Sequence, residues 1–399
     1  MSLNLKIPNV NTINYYYLVT IILYFCAIYM PFIRVGLSMS LIMILGIFIL
    51  FKKKKFSITT KLDLLVSGFI VYNLFSFIFF SFSGLPLSVY YTEFSNSILP
   101  IIPFYFFGKL NDKKSFYNIT LYSLIACFIV GFYLQLTVPG DYMFFMSKID
   151  GIGTNPLSYQ LNYRSFLGLT ATGSLSALGV LLSLGLLQKS NFKSGKIALL
   201  ICFIASILSF RRASLYTSLF ALLWMNFLFL FILRGSKIKF FVLEFFFLFI
   251  FFFWLLDTNP DFFASVYERF NSFFEALSSR KSSGFEGISD IQGVVFGDGL
   301  GRYGHKAVAY SDIHIPDGNY LRMFAELGIM GFSIFMLIIF MALFRGLIDI
   351  KNNYIALGVI IMVCMQAVGS DMFSFQLVAP IFWYSIGRCN RPKIVQSEG

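Results

Sequence analysis

The sequence predicts an all-α, polytopic integral membrane protein with about twelve transmembrane helices and one large loop on the outer face. Composition and pattern both point there. Of the 399 residues, 58% are hydrophobic and 13% charged, with a mean hydropathy of +0.78. A water-soluble surface needs about twice that charge, so a soluble fold is excluded. Apolar runs of roughly 15–22 residues recur along the chain, each long enough as a helix to cross a hydrocarbon layer of about 30 Å. The runs are continuous rather than alternating, which excludes a β-barrel.

The predicted spans fall at 15–33, 36–51, 62–82, 96–108, 116–137, 167–187, 196–210, 213–233, 240–256, 322–344, 354–372 and 375–388. Residues 1–256 thus form the first spans with short loops, 257–318 the large loop, and 319–399 the last spans with a tail. A single Lys6 precedes the first run and no small-residue cleavage site follows it, so 15–33 reads as a retained span. No internal repeat is evident, which argues against transporter folds built from duplicated halves.

The net charge is +12, and its distribution explains it without nucleic acid. With the N-terminus inside, twenty of the 31 bases fall in short cytoplasmic pieces, including the Lys52–Lys55 run, Lys61, Lys109, Lys113, Lys114, Arg345, Lys351, Arg388 and Arg391. Positive charge is retained on that side of a membrane protein. The remaining eleven lie on the outer face, where topology does not require them. The five cysteines, Cys26, Cys127, Cys202, Cys364 and Cys389, lie in spans or the tail, so no disulfide framework is expected.

Three outer segments carry polar chemistry. The first, 138–165, holds Asp141, Lys148, Asp150, an Asn155–Pro156 turn and Arg164. Arg164 precedes a helix rich in small residues (Gly168, Ala171, Gly173, Ser174, Ala177), which suit close helix packing. The second is the tight junction Ser209-Phe210-Arg211-Arg212-Ala213-Ser214. Arginine beside a bilayer is costly unless it snorkels to headgroups or meets an anion. Both readings stand for Arg211 and Arg212. The anion reading gains from the planar two-oxygen fork of guanidinium and from Arg212 standing at a helix N-terminus.

The third segment, 257–318, holds both histidines, His305 and His314, and nine of the nineteen acids. After Asn259–Pro260, the residues Phe262, Val266, Phe270, Phe273 or Phe274, and Leu277 form an apolar stripe at helical spacing. Such an amphipathic helix lies in the interface, either as a roof over the membrane domain or as a lid on a lipid-linked substrate. The run Gly297-Asp298-Gly299-Leu300-Gly301-Arg302-Tyr303-Gly304-His305 is either a tight turn or a backbone cradle for phosphate. It lacks the spacing of a nucleotide-binding P-loop. Asp317 and His314 stand ahead of the next span as candidate proton acceptors; a helix-start role also explains Asp317. Glu326 reads as a helix-start acid. No metal-binding motif or other cofactor signature is present, so arginines would neutralise developing charge.

The segment Phe296–Phe332, FGDGLGRYGH and then DGNYLRMFAELGIMGF, resembles the Wzy-type O-antigen polymerases and the related O-antigen ligases. Glu326-Leu327-Gly328-Ile329-Met330-Gly331 is similar to the superfamily's Glu-x-Gly-x-x-Gly motif, and the Ser209–Ser214 junction to its Ser-Arg-Gly/Ala motif. Where the ligases begin their signature with His, this chain has Asp317, which favours polymerase over ligase. The resemblance implies a multi-pass protein of the cell inner membrane, working at its periplasmic face without a cofactor. The implied substrate is an oligosaccharide repeat on undecaprenyl pyrophosphate, and the implied reaction is transfer of the growing glycan to a sugar hydroxyl of the next repeat. Membrane lipids, a chain-length regulator and a flippase are the implied partners. Asp317, His314 and Arg211 are then the catalytic candidates. Arg164, Arg211, Arg212, Arg302, His305, Tyr320 and Arg322 are the candidate contacts for pyrophosphate or glycan.

The charge distribution puts 257–318 outside and 52–61 inside. A cysteine placed at Ser283 is therefore expected to react with an impermeant thiol reagent added from the periplasm, and one at Ser57 is not. The reverse labelling would overturn the topology.

Overall fold

The computed structural model describes residues 35–52, 58–110, 115–138, 140, 169–187, 192–209, 212–231, 293–311, 315 and 318–391. Among them the regular structure is helical throughout, with no strand. The helices are α1 (Val35–Lys52), α2 (Lys61–Ser81), α3 (Leu87–Glu93), α4 (Ile101–Leu110), α5 (Ser115–Thr137), α6 (Leu169–Leu187), α7 (Phe192–Leu208), α8 (Arg212–Phe231), α9 (Asn319–Ile348), α10 (Ile350–Gln366) and α11 (Val378–Cys389). A π-helical turn, Phe94–Ile98, follows α3, and a 3-10 turn, Ala307–Ala309, lies in the loop ahead of α9. The predicted spans at 15–33 and 240–256 and the interfacial helix from 259 lie outside the described residues.

Three helical stretches, Lys61–Ser81, Phe116–Thr137 and Asn319–Ile348, are long and apolar enough to cross a membrane. Several shorter apolar helices, such as Thr172–Leu187 and Ile350–Gln366, pack among them. Large apolar side chains also point away from the protein: Leu64 and Phe75 on α2, Tyr133 and Leu136 on α5, Phe340 and Phe344 on α9. That surface suits lipid rather than water. The predicted span 96–108 is corrected in form. Pro86 opens a separate short helix, the π-turn follows, and α4 begins only after Pro100, so a single regular α-helical span becomes a series of short pieces.

Two groups of helices share the core. α6 packs on α5, α7, α8 and α10; α2 packs on α9, and α4 on α11. Helix α10 joins the groups, touching α6 and α8 on one side and α9 and α11 on the other. Residues 172–187 of α6 are buried without interruption. The small residues of this helix permit that, and its glycines are filled by neighbours: a Cβ at Gly179 would meet Cys202 Sγ at 2.6 Å, and one at Gly185 would meet Ile355 Cδ1 at 2.6 Å. The described cysteines are unpaired with one another.

The closest crossing is α4 on α11, where two glycines face each other's backbone. A Cβ at Gly108 would lie 2.1 Å from Tyr384 O, and one at Gly387 would lie 1.9 Å from Tyr105 O. Close backbone approach of this kind is how membrane helices gain van der Waals contact without a hydrophobic drive. Beside it, Asp63 is fully buried and satisfied: it accepts from Lys109 Nζ at 2.6 Å, Tyr105 Oη at 2.7 Å and Asn390 Nδ2 at 2.7 Å. Asp63 also completes a capping box with Thr60 at the start of α2. This knot ties α2, α4 and the end of α11 at the end of the protein that carries Lys61, Arg345, Lys351 and Arg388.

Replacing Gly387 by alanine is expected to separate α4 from α11 and cost about 1–3 kcal/mol, as overpacking does. Gly68→Ala, with open space around the added methyl, should stay within about 0.5 kcal/mol. Denaturation midpoints of the two variants in one detergent would check this; equal midpoints would contradict the close approach.

Candidate functional site

Helix α2 runs from the lysine-rich end to the opposite end, where α9 and α11 begin and the 293–311 loop sits. Its 21 residues cover about 30 Å. The chemistry collects at that far end, around Arg322. This arginine is 3% exposed, one turn into α9. Its Nη2 donates to Glu93 Oε1 at the end of α3 and to Ser374 Oγ at 2.9 Å. Its Nη1 donates to Asp371 Oδ2 at 2.6 Å in the α10–α11 loop. Its Nε lies 3.6 Å from Glu326 Oε1, one turn further along α9.

Two buried acids, Glu93 and Glu326, and the partly buried Asp371 therefore converge on one buried guanidinium. An unpaired carboxylate would cost several kcal/mol here, and the fork geometry of arginine lets one cation serve partners on three elements. Supporting bonds hold the carboxylates in place. Asn319 Nδ2 donates to Asp371 Oδ1 at 3.2 Å while Asn319 Oδ1 accepts from the Phe373 amide at 2.8 Å. Ser97 Oγ donates to Glu93 at 2.8 Å, and the Tyr303 amide donates to Glu326 at 3.2 Å. Burial alone would raise the Asp371 pKa; the Arg322 charge and the His305 hydrogen bond outweigh it and hold Asp371 below the usual carboxylate value.

The glycine run is a turn docked on α9. At Gly328 the helix is broken, with φ 64° and ψ −176°. The loop fills the break: the Asp298 and Gly299 amides donate to the Ala325 and Glu326 carbonyls, and the Ile329 and Met330 amides donate to Val294 and Val295. The Tyr72 hydroxyl closes it from α2, donating to Leu327 O at 2.7 Å and lying 2.9 Å from Phe296 O. Gly297 and Gly328 must both be glycine, since each has positive φ and any added Cβ would meet the other strand's backbone at about 2.4 Å. The Asp298 and Gly299 amides are thus engaged by α9 carbonyls. Glu326 also differs from its sequence reading as a helix-start acid: it is 1% exposed and lies two turns into α9.

The loop's own side chains complete the rim. Asp298 is buried, accepting from the Tyr303 hydroxyl and from the Gly293 amide at 2.9 Å. Burial and the Asp298 carboxylate raise the Tyr303 pKa, so Tyr303 stays a neutral donor. Arg302 lies over the Tyr303 ring at 5.7 Å and 3.9 Å from Asp298. His305 is the exposed member: its side chain is 63% exposed, and its Nε2 lies 3.0 Å from Asp371 Oδ2.

Of the residues the sequence put forward, the structure brings Arg302, His305 and Arg322 into this one cluster. Tyr320 is directed elsewhere, donating to Cys364 O at 3.0 Å on α10 and packing edge-on against Phe373. α8 begins at Arg212, so its backbone takes the helix-start position expected for it. The Arg212 side chain lies outside the described residues, as do Arg164, Arg211, His314 and Asp317. The cluster adds Glu93, Asp298, Asp371 and Ser374, which the sequence reading did not name as site residues. One signal was available for two of them: Glu93 and Asp371 both fall beside predicted outer span ends.

These features define an all-α protein with helices of membrane-spanning length and a buried ionic cluster under a loop. Comparison with family models, with curated proteins and with solved structures finds no match to this chain.

Removing Arg322 leaves Glu93, Glu326 and Asp371 facing one another without their cation, whereas Glu93→Gln removes one of an excess. Arg322→Met is expected to cost about 3–5 kcal/mol, with Glu93→Gln costing less than half as much. Arg322→Lys should fall between, because an ammonium lacks the fork. Unfolding midpoints of the purified variants would check the order, and a harmless Arg322→Met would refute the hub role.

Proposed function

We propose that the protein is a membrane-embedded glycosyltransferase of the O-antigen polymerase kind. It joins oligosaccharide repeats carried on undecaprenyl pyrophosphate at the periplasmic face of the bacterial inner membrane. In this reading the chain has about twelve spans, and the lysine-rich end faces the cytoplasm because positive charge is retained there. Residues 257–318 then form the periplasmic loop.

The observation that carries the reading is the position of charge. Among the described residues, the buried charged groups gather at two ends: Asp63, Lys109 and Arg388 at one, Glu93, Asp298, Arg322 and Glu326 at the other. The second group lies under a loop whose rim offers Arg302, His305 and Lys306. An enzyme of lipid-linked substrates needs its polar chemistry at one membrane face, with apolar helices below for the lipid tail. A flippase instead needs polar groups along a path through the membrane. A ligase-like transferase remains the alternative within the enzyme class, and Asp317 in place of its His speaks against it.

The leaving pyrophosphate develops negative charge, which Arg164, Arg211 and Arg212 are suited to stabilise. The attacking sugar hydroxyl needs a proton acceptor, for which the sequence offers Asp317 and His314.

A strain lacking the protein is expected to show a glycan ladder with no polymer but with a single repeat still attached to its lipid core. Loss of that single repeat as well would point to ligase or flippase. Arg164→Ala and Arg211→Ala should each abolish polymer at normal protein level, with partial return in the lysine variants, and Arg212→Ala tests the neighbouring arginine. Full-length polymer in all three alanine variants would sink the phosphate role.

A further inference from the structure

The apex of the loop docked on α9 carries three consecutive apolar side chains that face outward. Val294, Val295 and Phe296 are 57%, 50% and 47% exposed. A run of exposed apolar residues is a liability in water and needs a reason. Its surroundings extend the same surface. Ile329 and Met330 of α9, bonded to Val294 and Val295 through the backbone, are themselves exposed. Phe296 stacks on Phe79 of α2 with ring centroids 5.7 Å apart, one turn before the exposed Phe82. The patch is thus continuous with the outward apolar faces of α2 and α9, the surface that suits lipid.

The backbone of the apex is as closed as its side chains are open. Gly293 O accepts from the Gly297 amide at 2.6 Å, Val294 O from the Ile329 amide at 3.0 Å and Val295 O from the Met330 amide at 3.2 Å. Phe296 O lies 2.9 Å from the Tyr72 hydroxyl. A turn facing water can leave its carbonyls to solvent, but a turn facing hydrocarbon must find partners for them within the protein. Four consecutive carbonyls with protein partners, beneath half-exposed apolar side chains, fit the second case. Depth agrees. Beyond the break at Gly328, α9 runs from Ile329 to Ile348, about 30 Å of helix, which alone matches a hydrocarbon layer. Helix α2 covers the same length and has Phe79 near its far end. The apex therefore docks where such a layer stops, with Arg322 and Glu326 on the other side of the break.

We propose that Val294, Val295 and Phe296 form a membrane-inserted wedge whose partner is the acyl chains of the lipids at this end of the protein. The wedge sets the height of the loop. Lys306, further along the same loop and exposed, then stands at the level of the headgroups or above them. The inference goes beyond the glycosyltransferase reading and does not depend on it, since it concerns only where this loop meets the bilayer.

The test uses full-length protein in nanodiscs of phosphatidylethanolamine and phosphatidylglycerol. The variants Val294→Cys, Val295→Cys and Lys306→Cys are each coupled to a nitroxide, and wild-type protein taken through the same labelling gives the background from its own cysteines. All three replaced side chains are exposed, so each variant should keep the wild-type unfolding midpoint. Collisions are read with oxygen, which partitions into acyl chains, and with a water-soluble nickel chelate. The labels at 294 and 295 are expected to collide more with oxygen than with nickel, and the label at 306 more with nickel. In a second measurement, a fluorophore coupled to Val295→Cys should be quenched by nitroxides carried on the acyl chains. Collisions dominated by nickel at both 294 and 295 would put the apex in water and overturn the wedge. Weak collisions with both reagents, without quenching from the acyl chains, would show protein covering the apex and overturn it equally. Oxygen-dominated collisions at 306 as well would erase the difference in depth, and the claim that the wedge sets the height of the loop would fall.

Discussion

The far end of the protein depends on one guanidinium. From α9, Arg322 reaches α3 and the α10–α11 loop at once through charged hydrogen bonds to Glu93 and Asp371. Carboxylates at 1–13% side-chain exposure are not stable neighbours in a region of low water content without it. Its position follows from helix geometry. Arg322 and Glu326 are four residues apart on one face of α9, so that face turns toward Glu93 and Asp371, while Tyr320 leaves from another side to pack on α10. The cluster is therefore both a structural pin and the base on which the loop's histidine stands.

The opposite end is built on the same rule with different parts. There a single carboxylate, Asp63, serves several donors, and the arrangement caps α2 and anchors the last residues of α11. Between the two ends, cohesion comes from close packing of small residues and from aromatic contacts such as Phe335 with Phe373 at 4.8 Å and Phe116 with Tyr384 at 4.2 Å. Among the described residues, buried charge is kept to the two rims, while between them apolar contacts are joined by small hydroxyl contacts such as Ser206 with Ser214 and Ser218.

Much of the helical framework was legible in the sequence, because apolar runs of span length have few other solutions. The described helices α1, α2, α5, α6, α7 and α8 start and stop within a few residues of the predicted spans. The series of short pieces from Pro86 to Leu110 was not legible as such, since a hydropathy run does not report where proline and a π-turn interrupt the regular α-helix. The site was legible in its residues but not in its partners. Arg302, His305 and Arg322 were chosen for their types and their position beside the loop. Glu93 is 229 residues from Arg322, and no local pattern marks that pairing. The glycine run was ambiguous for a related reason: only the break at Gly328 reveals that its Asp298 and Gly299 amides donate to α9.

That break also bears on how the chain assembles. A helix inserted alone into lipid must satisfy its own backbone, and an opening in its ladder leaves groups that cost several kcal/mol each. In α9 the missing partners come from residues 294–299 and from Tyr72 on α2. Its first two turns thus cannot settle as an autonomous segment during synthesis. They wait for the preceding loop to fold back and for α2 to stand alongside. The segment bearing Arg322 reaches its final shape only when the parts that will surround it are present, which makes correct assembly a precondition for building the charged centre.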